Sequence, residues 1–288
     1  MTIIKYLAGA GAALAVTLGS FSAMALTVTP TANPNTLVQS ILGPGVSYSN
    51  VVYTGTSTSG GTFAGANGAI GIDSGILLTS GNVANAIGPN NTGSATGQNF
   101  NGGDAQLNTL IPGGNTQDAT SLSFNFETST GDLFFNYVFA SEEYPEWVGS
   151  SFNDVFGFFV DGVNIALIPG TTTPVSINNV NSGSNAAYYI DNTGGAKNTQ
   201  YDGLTTVLTA SVLGLSAGTH TIKLAIADVG DTNYDSGVFI KAGSFSSTNP
   251  TSDVPELDAV SSASALMLLL IGGLMITGRK RQAQLSVG

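Results

Sequence analysis

The chain has no cysteine, one histidine and one tryptophan, and between Leu26 and Asp253 it has no arginine and three lysines, Lys197, Lys223 and Lys241. Without thiols there are no disulfide staples, no thiolate chemistry and no cysteine-based zinc site. With one imidazole, His220, a Ser-His-Asp set has a single candidate base. That residue stands in phase with Ile222, Leu224 and Ile226, where a structural strand-face histidine is the commoner use. No G-x-S-x-G, no H-E-x-x-H and no glycine loop before a helix is present. The same Leu26–Asp253 stretch holds 16 acidic side chains against the three lysines, a net charge of −13. Such a surface repels nucleic acid and acidic lipids and attracts divalent cations and basic partners. Acidity also serves solubility, so it does not by itself specify a ligand.

What is present first is a pair of terminal signals. Lys5, the apolar run Tyr6 to Leu18 and Ala23-Met24-Ala25 read as a secretory signal peptide cut after Ala25. Ala259 to Thr277 is 19 residues without a charge, followed by Arg279-Lys280-Arg281. At about 1.5 Å per residue this run just crosses a hydrocarbon core of about 30 Å, and the basic cluster holds its end on the cytoplasmic side. The expected order is signal peptide 1–25, exported domain 26–245, linker 246–258, anchor with basic cluster 259–281 and tail 282–288.

The exported part reads as all-β. Asn33 as N-cap, Pro34 at the first helical position and Leu37, Val38, Ile41 and Leu42 on one face predict a single short N-terminal helix. Strands are expected at Val46–Tyr53, Ile70–Leu78, Leu122–Phe126, Leu133–Ala140, Val155–Val160, Val163–Ile168, Val175–Val180, Thr205–Leu213, Thr219–Ala227 and Gly237–Ala242. Leu133–Ala140, apolar on both faces, should be central. Asp161-Gly162 marks a hairpin, and Ser216-Ala217-Gly218 is expected to pair the strands on either side of it. The Gly/Asn/Thr segment Gly81–Gln117 is either a packed functional loop or plain surface. Together these predict an antiparallel β-sandwich of jelly-roll-like type, with the signal peptide before it and a C-terminal transmembrane helix after it.

Acidic residues gather in two places. Glu142, Glu143, Glu146 and Asp154 flank Trp147 in a loop between two apolar strands, and Asp228, Asp231 and Asp235 lie between two more. Crowded carboxylates on a rigid scaffold suit calcium, although Asp-rich turns also use such side chains for local hydrogen bonds. A glycosidase needs only two carboxylates, which Glu142, Glu143 or Glu146 with Asp228 could supply.

Four phrases, FASEEYPEW, FNDVFGFFVDG, NIALIPGTTTPVSINNVN and KLAIADVGDTNYDSGVFIKAGSF, resemble the choice-of-anchor L domain, a bacterial exported module joined to varied C-terminal sorting signals. The resemblance runs from about Asn35 to Phe245. It implies an extracellular β-sandwich and supplies no catalytic residues. It also implies that the Ser141–Tyr144 and Asp228–Ser236 segments belong together, which makes Glu142, Glu143, Asp154, Asp228, Asp231 and Asp235, with neutral Asn153, the expected calcium ligands. The tail, with Val254-Pro255-Glu256 ahead of the apolar span and basic cluster, resembles the PEP-CTERM signals handled by an exosortase-type sorting enzyme. Leu257 stands where that motif has its second proline, and Gln282–Gly288 extend beyond the basic cluster.

The function expected is that of a structural or adhesive protein at the cell envelope or in the extracellular matrix, held to the membrane through its C-terminal helix. Extracellular polysaccharide and other surface proteins are the expected partners, and no enzyme activity is expected. The alternative is a lectin-like module in which Tyr144 and Trp147 stack on sugar faces, with Trp147 as plain loop packing the competing use. A polysaccharide hydrolase is the third reading.

Overall fold

The computed structural model describes residues 25–250; the signal peptide, the Val254-Pro255-Glu256 motif and the apolar anchor lie outside the described residues. In chain order the elements are β1 (Thr27–Pro30), α1 (Pro34–Ile41), β2 (Val46–Thr54), β3 (Gly60–Ala64), α2 (Asn67–Ile70), β4 (Gly75–Thr79), β5 (Thr116–Thr128), β6 (Leu133–Ser141) and β7 (Val155–Val160). They continue with β8 (Val163–Asn164), β9 (Tyr189–Asp191), β10 (Gly203–Thr205), β11 (Leu208–Val212), β12 (His220–Val229) and β13 (Ser236–Lys241).

Two antiparallel sheets result. One has the order β2-β5-β12-β7-β8, the other β1-β3-β4-β13-β6-β10-β9 with β11 also on β6. Alternation along β5 turns Leu122, Phe124 and Phe126 inward, where they meet Phe156 and Phe158 of β7 and Ile222, Leu224 and Ile226 of β12. The opposing layer is Phe135, Tyr137 and Phe139 of β6 with Val238 and Ile240 of β13. Rings interlock across the layers, Phe135 on Phe158 at 4.8 Å and Tyr137 on Phe156 at 5.2 Å between centroids. Truncating one of these buried phenylalanines to alanine should cost about 3–5 kcal/mol.

The short helix forms as its sequence requires. Asn33 accepts the N–H groups of Asn35 and Thr36, Pro34 opens the first turn, and Leu37, Val38 and Ile41 are buried. Asp161 and Gly162, both at positive φ, make the tight turn from β7 to β8. The strands β5, β6, β7, β12 and β13 fall where expected, and β6 is central.

Several expectations are corrected. Residues 70–74 are not strand, because Asn67–Ile70 forms a helical turn ended by Gly71 at φ 84°. Only Val163–Asn164 of the Val163–Ile168 run joins a sheet, and Val175–Val180 makes an isolated bridge, Ser176 to Val155, while Val175, Ile177 and Val180 are buried in the main core. β11 and β12 do not pair with each other; β11 joins β6, and β12 joins β5 and β7 in the other sheet. Ser246 and Ser247, read as linker, belong to the fold: Ser246 bridges Phe134, and both residues are buried.

The Gly81–Gln117 segment is packed. Its Val83–Ala86 turn covers Leu77, Val138 and Phe239 on the outside of one sheet, and Leu107 to Ile111 cover Val155, Phe159 and Ala227 on the outside of the other. The intervening residues cross the end of the sandwich where the acidic residues meet.

Candidate functional site

Strand register builds the site. Ser236 opens β13 directly opposite Ser141, the last residue of β6. Glu142 therefore lies one residue beyond β6, beside Asp235, one residue ahead of β13, and the Glu142 N–H donates to the Asp235 carbonyl at 3.1 Å. β12 runs as far as Val229, so Asp228 is a strand residue and not part of the turn. Asp154 immediately precedes β7, which is hydrogen-bonded to β12. The Ser141–Tyr144 and Asp228–Ser236 segments thus converge.

Their carboxylates are not on a solvated tip. Glu142, Asp154 and Asp235 have no exposed surface, and Glu143 and Asp228 have 1%. Asp154 takes the Val229 N–H at 2.9 Å on one oxygen and the Ser236 hydroxyl at 2.7 Å on the other. Asp235 takes the Gly97 N–H at 3.0 Å and the Asn85 side chain at 3.1 Å. Glu142 takes the Ala95 N–H at 3.2 Å on one oxygen. Its other oxygen, one oxygen of Glu143 and both oxygens of Asp228 are buried with no hydrogen-bond partner.

Among the described residues no lysine or histidine side chain offsets this charge. Among the described residues the ion pairs are His220 with Asp161 and Lys223 with Asp104, and neither touches the cluster. Burial is the first cause of a raised carboxyl at every member. It pushes Glu142 up to about 9, with Asp202 and Asp235 adding repulsion against the opposing Ala95 N–H. Asp235 rises to about 6, restrained by Gly97 and Asn85. Glu143, Asp154 and Asp228 are raised together, burial again leading; Asp154 repels the other two and is itself held down by Ser236, the Val229 N–H and the Asp228 carboxyl, while the Ser80 hydroxyl holds Asp228 down.

The remaining expected ligands stand apart. Asn153 uses its Oδ1 to accept the Asn178 N–H at 2.8 Å. Asp231 is half-buried and its Oδ1 accepts the Asn233 N–H at 3.0 Å, a local turn bond, although it remains near enough to repel Glu143. Tyr144 is corrected as a sugar contact: it is fully buried, donates its hydroxyl to the Val180 carbonyl at 2.6 Å and packs on Tyr189. Trp147 is a half-buried packing residue. Its ring meets Phe152 at 5.0 Å and Tyr234 at 6.0 Å, so it ties the two acidic segments together.

Two acids outside those segments join the environment. Asp118, at φ 48° and 1% exposed, accepts the N–H groups of Asn99 and Asn101 and repels Asp228 and Asp235. Asp202, buried and bonded to Asn90 at 2.6 Å, repels Glu142. Glu146 is exposed and lines a separate surface cleft with Asp202.

Among the described residues no three acidic or histidine side chains converge on one point as a ready-made metal cage. A cation here would take a carboxylate or a pair of them with neutral oxygens, as calcium readily does with its six to eight oxygen ligands. The unpartnered oxygens of Asp228, Glu142 and Glu143, and the hydroxyls of Ser141 and Ser236, are chemically suited to that.

The choice-of-anchor L domain matches residues 27–246 of this chain. The chain belongs to that family. Membership places this choice-of-anchor L protein among surface-associated bacterial proteins. Comparison with curated proteins and with solved structures gives no match.

Proposed function

We propose that this choice-of-anchor L protein is a non-catalytic binding and structural module of the bacterial surface, exported by its N-terminal signal and retained by its tripartite tail until an exosortase-type enzyme removes the anchor. The acid cluster at the end of the sandwich takes calcium, and the cation locks the Gly81–Gln117 segment over that end.

One observation carries the calcium reading: Asp228 is 1% exposed, neither carboxylate oxygen has a well-formed hydrogen bond although the Ser80 hydroxyl and the Asp154 carboxyl lie close by, and among the described residues its charged neighbours are other buried acids. An unpartnered buried carboxylate is costly to keep charged, and several together more so. Asp228 with Asp154 would hold the ion together with serine and main-chain oxygens, Glu143 would add negative charge beside them, and Glu142 and Asp235 would brace the loop, since they accept Ala95, Gly97 and Asn85. The bound ion supplies neutralising charge and a rigid oxygen cage.

The test is proteolysis on intact cells. In calcium medium the domain should be reachable by surface labelling yet resist protease, and chelator should expose the 81–117 segment to cleavage. Protection against labelling, or cleavage indifferent to chelator, would contradict the proposal.

A further inference from the structure

We infer that the cleft beside the acid cluster binds a neutral polysaccharide chain and is held in shape by calcium, an inference that rests on the function proposed above. The cleft has a cavity volume of about 580 Å³ and lies between three pieces of chain: residues 110–115, residues 150–153 with 174–179, and Val229-Gly230. That volume is in the range of small-ligand sites, about 300–1,000 Å³.

Its chemistry selects the ligand. The lining includes Asn115, Asn153, Asn178 and Asn179 and contains no Asp, Glu, Lys, Arg or His. A side-chain amide offers both donors and acceptors, the combination a sugar hydroxyl also presents. Half-buried Leu110 and exposed Pro112 give the C–H face of a pyranose ring something to cover. Nothing in the lining would balance a charged ligand, and the acidic surroundings repel an anionic chain. Asn178 accepts the Gly149 N–H and donates to the Ser150 carbonyl, and Asn179 donates to the Pro174 carbonyl, so these two shape the wall; Asn153 spends its Oδ1 on the Asn178 N–H and leaves its amide N–H groups unspent, and Asn115 is exposed, so these two are the contacts open to a ligand.

The link to the cluster is Asp154. Its carboxylate accepts the Val229 N–H at 2.9 Å, its main-chain carbonyl faces the Ile177 N–H at 3.5 Å, and its neighbour Asn153 accepts the Asn178 N–H. Two walls of the cleft are thus fixed through one residue of the cluster. The third is joined by the Gly230 N–H donating to the Asn115 carbonyl at 3.1 Å. Neutralising Asp154 and its neighbours therefore fixes the spacing of the walls.

The test uses the purified full-length protein on affinity gels of dextran, galactomannan and β-1,3-glucan, with alginate and a neutral unstructured peptide as comparators, beside a calorimetric calcium titration of the same sample. Retention on at least one neutral gel is expected in calcium, at least tenfold weaker in chelator. Ser151→Trp, which fills the cleft from an exposed position, should weaken it at least tenfold with an unchanged calcium titration, and Asn115→Ala should weaken it less. The inference is overturned if calcium titrates but no neutral gel retains the protein, if only alginate or the peptide does, or if Ser151→Trp or chelator leaves retention unchanged. A missing calcium heat would instead strike the function proposed above and, with it, the calcium control of the cleft.

Discussion

Ser141 and Ser236 face each other across β6 and β13 with their hydroxyl oxygens 2.8 Å apart, and Ser236 also donates to Asp154 at 2.7 Å. This contact joins both sheets at the point where the acidic segments meet, since Asp154 leads into β7 of the other sheet. Ser141 in turn accepts the Glu143 N–H at 2.9 Å.

Ser236→Ala should therefore destabilise the protein by about 1–2 kcal/mol, the cost of leaving a buried charged acceptor short of one hydrogen bond. Urea denaturation of the two proteins in calcium measures it. A change under about 0.3 kcal/mol would mean that the serine pair does not support the cluster.

The pH response without calcium has a definite sign. A carboxyl whose folded value is raised binds its proton more tightly in the folded protein than in the unfolded chain. Its stabilising contribution is present at low pH and is lost as pH rises through the folded value. Asp235 lies at about 6 and Glu142 at about 9, with Glu143, Asp154 and Asp228 also raised. The melting temperature in chelator should fall as pH climbs from about 5 to 9, while the calcium-loaded protein should hold nearly constant. Parallel curves in the two media would contradict this.

His220 has the opposite partner arrangement. Its Nε2 lies 2.9 Å from the Ser216 carbonyl and its Nδ1 2.6 Å from Asp161, contacts that raise it above its ordinary 6.5. Asp161 is lowered from 3.8, first by the Thr221 N–H. The histidine's contribution is full below about pH 6.5 and lost as pH rises through the higher folded value, and the aspartate's is present above about 3.8 and lost as pH falls through its folded value. His220→Gln should lower the melting temperature most between about pH 4 and 6.5 and least near pH 9. An equal drop at both ends would assign the loss to packing against Phe126 alone.

Much of the sandwich is legible in the residues because Leu122-x-Phe124-x-Phe126 and Leu133–Ala140 carry the period and density of buried strands. β3 is hidden by its own composition. Gly60 and Gly61 look like a turn, yet a Cβ at Gly60 would meet the Tyr53 hydroxyl at 2.8 Å and one at Gly61 the Thr29 carbonyl at 2.8 Å, so close packing of a strand demands them. Val175–Val180 misleads in the other direction, being apolar because it plugs the core as a turn. At the site, Glu142, Glu143, Asp154, Asp228 and Asp235 could be named in advance, since they cluster along the chain. Asp118 and Asp202 could not, because only the pairing of β5 with β12, which sets Gln117 opposite Asp228, and the position of β10 bring them near.

Charge removal separates a cation site from a hydrogen-bonding cluster. Asp228→Asn should raise the melting temperature in chelator above neutral pH, because it relieves repulsion from Asp154 and an amide can still meet the Ser80 hydroxyl. The same variant should lose most of the further rise that calcium gives the parent protein. A cluster that serves only as a hydrogen-bonded turn would show neither effect.

The most direct measurement of the calcium claim is a calorimetric titration of calcium into chelator-stripped protein at pH 7. A saturable heat with proton release into the buffer is expected, as raised carboxyls give up their protons when the ion binds. A folded protein that takes up no calcium, with no heat and no proton release, would contradict it.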